Sequence, residues 1–128
     1  MICRIVFGFA FVLGVSMIGP RSTNAEPDKA ELAQKAQAIL KTNCYRCHGA
    51  GDSAEGGFNF VLNQPRLLST KKVVPSDAKG SKLYKQIVDE VMPPAMDADG
   101  KPVKQRPSVD DIAIIKQWIE AGAPEFKK

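Results

Sequence analysis

Cys44-Tyr45-Arg46-Cys47-His48 packs two thiols and an imidazole into five residues, and His48 is the only histidine in the 128-residue chain. Around this cluster the chain offers little from which to build an ordinary core. Gly49 to Gly57 holds four glycines in nine residues and must be loop. Phe58, Phe60 and Leu62 alternate as a short strand would, but Pro65 stops the run, so Phe58 to Leu68 reads as mostly irregular, with its apolar side chains lining an interior. More than 30 residues between Gly49 and Lys82 thus lack a clear regular element, and loops beyond about 12–15 residues usually have a functional reason. A large apolar group at the centre would supply one.

Three helices are legible. Leu32, Ala33, Ala36, Ile39 and Leu40 recur at three-and-four spacing and predict a helix over Pro27 to Asn43, with Pro27 in its first turn and Asp28 and Glu31 suited to the helix dipole. Leu83, Tyr84, Ile87, Val88 and Val91 predict a second over Ser81 to Val91, ended by Pro93-Pro94. Ser108, with Asp111 three residues on, caps a third whose buried stripe is Ile112, Ile115, Trp118 and Ile119, and Gly122 suits the position after its end. Asp97 to Pro107 is a polar loop. The expected fold is all-α: a small domain of three main helices with long loops, and no repeat or second domain.

The N-terminal residues belong to a different category. Arg4 precedes an apolar run from Ile5 to Ile18, which Gly19-Pro20-Arg21 ends, and Thr23-Asn24-Ala25 offers small residues at a cleavage site. The run is short for a bilayer span, which needs about 20 residues. Residues 1–25 therefore read as a secretory signal peptide, with 26–128 as the working domain; the alternative is an uncleaved anchor, the one route to membrane association. Both place the domain outside the cytoplasm, in the periplasm or otherwise exported. Loss of residues 1–25 removes Arg4 and Arg21 from the 18 basic side chains and none of the 14 acidic ones, so the net charge falls from +4 to +2. No long block of like charge appears, and a nucleic-acid partner has no electrostatic support.

Cys3 lies in that leader, which leaves Cys44 and Cys47. C-x-x-C-H is the signature of covalent c-type haem attachment. Thiols three positions apart can each add to one of two vinyl groups on neighbouring pyrroles, and the next residue then presents an imidazole to the iron. Other readings fit less well. A thioredoxin-like pair sits at a helix start within a βαβ pattern, which is missing here. A structural zinc site needs four ligands. A plain disulfide, the ordinary fate of two exported cysteines, leaves His48 unexplained. One covalently held haem is expected, with His48 as proximal ligand and its other ring nitrogen donating to a backbone carbonyl or another acceptor. With no second histidine, methionine is the natural sixth ligand. Met92, between a helix and the stiff Pro93-Pro94, is favoured over Met96, which lies in a more polar loop beside Asp97 and Asp99. Either could instead be filling a gap in an apolar interior.

Several segments together resemble small class I-like cytochrome c domains, most closely the planctomycete-type cytochrome c module. They are Asn43 to Gly49, Gly56-Gly57-Phe58, Ser81-Lys82-Leu83-Tyr84, Met92-Pro93-Pro94, and Trp118 to Ala123. The resemblance implies that the Met-Pro-Pro methionine, Met92, is the distal ligand. It also implies that the first and last helices pack beside the haem edge, with Leu40 and Trp118 as contributors. A second methionine after Met-Pro-Pro departs from the pattern and keeps Met96 open.

The expected function is single-electron transfer between redox protein partners, without enzymatic activity. Lys71, Lys72, Lys82 and Lys85 could ring an exposed haem edge and steer an acidic partner, or be plain solvated surface. Two alternatives stand beside it: a haem protein with an open sixth position that senses or turns over a gas or peroxide, and a non-haem module in which Cys44 and Cys47 form a disulfide.

Overall fold

The computed structural model describes residues 28–49, 57–97 and 99–127; the expected signal segment 1–25, Pro27 and most of the glycine-rich loop lie outside them. The described residues form five helices: α1 (Lys29–Asn43), α2 (Tyr45–His48), α3 (Gln64–Ser69), α4 (Lys82–Val88) and α5 (Val109–Glu120). Among them no strand is present, and no helix is long and apolar enough to cross a membrane. The all-α expectation is met.

α1 and α5 make the core. Asp28 caps α1 by accepting from the Ala30 N–H at 3.0 Å. Leu32, Ala33, Ala36, Ile39 and Leu40 form its buried face, and the alanines let the neighbouring backbone come close. α5 opens with a full capping box, in which Asp111 N–H donates to Ser108 Oγ at 3.1 Å and Ser108 N–H to Asp111 Oδ2 at 2.9 Å. Ile115, Trp118 and Ile119 then face α1 and α4, fully buried, and each buried aliphatic side chain contributes about 1.5–3 kcal/mol. Gly122, at φ 94°, takes the left-handed conformation that ends α5. Beyond it the chain folds back. Trp118 Nε1 donates to the Pro124 carbonyl at 2.9 Å, Phe126 stacks on the indole at 5.1 Å, and Gln64 Nε2 donates to the Ala123 carbonyl at 2.7 Å.

The middle of the chain differs from expectation. α3 lies where the sequence reads as mostly irregular. Asn63 caps it by accepting from Arg66 N–H at 3.1 Å, and Pro65 occupies the first turn, where its missing N–H costs nothing. The proline that ends a strand pattern here starts a helix. α4 is shorter than Ser81–Val91: it stops at Val88 because Glu90 turns into the left-handed region at φ 57°, three residues before the prolines. Between α3 and α4 the chain is held by the buried Ser81 hydroxyl, which accepts from Val74 N–H and donates to the Asp77 carbonyl, both at 2.8 Å. Ser76 N–H donates to the Ile119 carbonyl at 2.8 Å and fastens this segment to the end of α5.

Removing the indole should cost far more than removing the cap. We expect Trp118→Ala to lose about 3–5 kcal/mol of unfolding free energy and Ser108→Ala about 1 kcal/mol, both read from denaturant titrations. Equal losses would contradict the core described here.

Candidate functional site

Cys44 ends α1, its N–H donating to the Leu40 carbonyl at 2.9 Å, and also precedes α2. Its carbonyl accepts from His48 N–H at 2.9 Å and Cys47 N–H at 3.3 Å, closing a single helical turn. Residues three and four apart share a face of such a turn, so both sulfurs and the imidazole come to one side. Gly49 follows because any side chain there would meet the Tyr45 ring.

Both cysteines are thiols, and both border a cleft of about 340 Å³, a size in the range of cofactor sites. Phe58, Val61, Leu83, Ile87, Met92, Pro93 and Pro94 form its apolar walls, and Asn43, His48, Lys72, Lys82 and Gln86 complete the lining. His48 is oriented by the far side of the glycine-rich loop: Nδ1 lies 3.0 Å from the Phe58 carbonyl, and the Phe58 ring packs at 4.9 Å from the imidazole. A carbonyl oxygen only accepts, so Nδ1 carries a proton, and the tautomer this bond selects has its lone pair on Nε2. The His48 carbonyl in turn accepts from Val61 N–H at 3.0 Å.

The Cys44 thiol is pushed from 9.0 up to about 11, mainly by burial and further by the adjacent Cys47. Redox and nucleophilic cysteines are shifted the other way. Among the described residues no group of three or more His, Cys, Asp and Glu side chains could hold a metal ion by itself.

The two methionines separate. Met92 borders the cleft, with its N–H bonded to the Gln86 carbonyl of α4 at 2.9 Å. Met96 is 55% exposed, pairs with Pro102, and is absent from the lining. Of the four lysines singled out in the sequence, Lys72 and Lys82 border the cleft, whereas Lys71 and Lys85 are exposed away from it. Leu40 and Trp118 are buried in the α1–α5 core and do not line the cleft.

Residues 44–96 match the family model described as Planctomycete cytochrome C. This segment is similar to the planctomycete-type cytochrome c module. No curated protein and no solved structure matches the chain. Cytochrome c modules bind haem, and the likeness implies covalent attachment. The residues present fit that group: two thiols on one face of a turn, an imidazole with Nε2 unprotonated, and an apolar cleft that also contains a thioether.

Two contacts of the module went unread in the sequence. The Phe58 carbonyl is a backbone group, signalled only by the Gly56-Gly57-Phe58 segment. Arg46, inside the attachment motif, donates to Asp97 Oδ2 at 2.9 Å across 51 positions. Asp97 is held below its ordinary range chiefly by the Lys101 N–H, with the Arg46 guanidinium and Asp99 N–H adding to it against partial burial. It stays charged at neutral pH and keeps its hold on Arg46.

In chain produced without haem attachment, Cys44 should be alkylated slowly at neutral pH. A thiol pushed from 9.0 up to about 11 has about a hundredth of the ordinary thiolate fraction at neutral pH. Peptide mapping after timed iodoacetamide treatment checks this, and the rate should climb until the pH approaches about 11.

Proposed function

We propose that this chain is an exported mono-haem c-type cytochrome that passes single electrons between redox proteins, its haem held by Cys44 and Cys47 and ligated by His48 and Met92. The observation that carries this reading is the presence of Cys44, Cys47, His48 and Met92 around one apolar cleft, within the segment that matches the cytochrome c family. The haem iron, alternating between Fe(II) and Fe(III), supplies the redox chemistry. The chain's own residues do the rest. Cys44 and Cys47 retain the group in a compartment where a loose one would be lost. The Phe58 carbonyl, accepting from Nδ1, fixes the His48 ring and makes Nε2 a better donor to iron. A thioether at the sixth position raises the reduction potential.

The cleft walls favour a carrier over an enzyme. Besides the motif, the titratable groups on them are Lys72 and Lys82, with no carboxylate or hydroxyl group in the lining. Their charge instead gives the cleft a positive edge suited to an acidic redox partner. Export rests on the apolar run Ile5 to Ile18, which lies outside the described residues.

The test is the visible and near-infrared spectrum, oxidised and reduced, after expression with a c-type maturation system. We expect a low-spin c-type spectrum with the weak sulfur-to-iron band in the oxidised form. Met92→Ala should abolish that band and Met96→Ala should keep it, while Cys44→Ala with Cys47→Ala should abolish covalent haem. A high-spin spectrum that shifts with carbon monoxide or cyanide would replace this reading with an open-site sensor or enzyme. A colourless protein would refute haem binding itself.

A further inference from the structure

We propose that Arg106 is a positioning residue for Met92, clamping the backbone on both sides of it so that the thioether is held for the iron. This rests on the reading of Met92 as sixth ligand. The Arg106 guanidinium donates through Nη2 to the Glu90 carbonyl at 3.1 Å and to the Pro93 carbonyl at 2.6 Å. Those carbonyls lie two residues before Met92 and one after it, and the same guanidinium stands 3.8 Å from Glu90 Oε2. With Glu90 N–H on the Ile87 carbonyl at 3.2 Å and Met92 N–H on the Gln86 carbonyl, residues 90–93 are fixed at four backbone points from two directions, α4 and the segment ahead of α5.

The bonds to α4 hold only the N–H side of this segment, and Arg106 holds its carbonyls. Met92 is 38% exposed, so side-chain packing holds it only partly. Its other face borders a small second cavity of about 90 Å³, shared with Ile87, Pro93 and Arg106, into which a flexible side chain can turn. Glu90 sits at φ 57°, a conformation costly for a residue with a Cβ and kept only where its surroundings enforce it. One amino group, Nη2, donates its two N–H bonds to both carbonyls, and the rigid guanidinium plane fixes their directions; an ammonium on a flexible stem fixes neither.

The measurement compares haem-loaded full chains of the parent, Arg106→Gln, Arg106→Lys and Met92→Ala. Imidazole binding to the oxidised protein is followed, because imidazole competes with the thioether for the iron. A looser backbone lowers the effective concentration of the thioether, so exogenous ligand binds more tightly. Arg106→Gln should bind imidazole about tenfold more tightly and lose the sulfur-to-iron band well below its unfolding temperature in far-ultraviolet circular dichroism, while Arg106→Lys should recover part of the difference. A purely structural arginine would move the unfolding temperature alone. Imidazole affinity in Arg106→Gln within about twofold of the parent overturns the proposal. If Met92→Ala keeps the sulfur-to-iron band, the ligand reading itself fails and the clamp fails with it. If Met92→Ala loses the band while Arg106→Gln binds imidazole like the parent, the clamp alone is wrong.

Discussion

His48 is tied by its ring and its backbone to a stretch of chain ten or more residues away, with Nδ1–H reaching the Phe58 carbonyl and the His48 carbonyl accepting from Val61 N–H. The glycine-rich loop therefore leaves from the attachment motif and returns to it. Its return brings three apolar side chains to defined places. Phe58 enters the cleft beside the imidazole, Phe60 meets it edge-on at 4.8 Å under the Arg66 guanidinium, and Val61 turns into the interior. Those two bonds hold the wall that Phe58 and Val61 give the cleft.

The molecule divides its apolar residues between two tasks. Leu40, Ile115, Trp118 and Ile119 belong to the α1–α5 core and leave the cleft alone. Val61 and Ile87 serve both, buried from solvent yet facing the cleft. Val88, Val91 and Met92 remain substantially exposed near the end of α4. The helix pair forms by ordinary packing, whereas the cleft side is apolar surface that a bound group would cover.

How much of this the sequence reveals depends on the kind of contact. The Ser108–Asp111 box and Gly122 are local signals, and each reads correctly because a few adjacent residues decide it. Pro65 misleads because proline ends a strand and begins a helix with equal ease, and only the Asn63 cap distinguishes the two. Pro93-Pro94 looks sufficient to end α4, but Glu90 ends it earlier through a backbone conformation that its residue type does not advertise. The Arg46–Asp97 and Arg106 contacts are long-range, and no periodicity or spacing points to them. Flanking stiffness prefers Met92 to Met96 in the sequence, and Met92 is the one of the two that borders the cleft.

The seam between α1 and α5 joins residues from opposite ends of the described chain, and residues 123–126 complete it through Ala123, Pro124 and Phe126. Contacts of such wide separation form late, since the intervening chain must first be gathered in. A partial chain emerging residue by residue thus lacks the helix that closes most of the buried face of α1 until α5 is free.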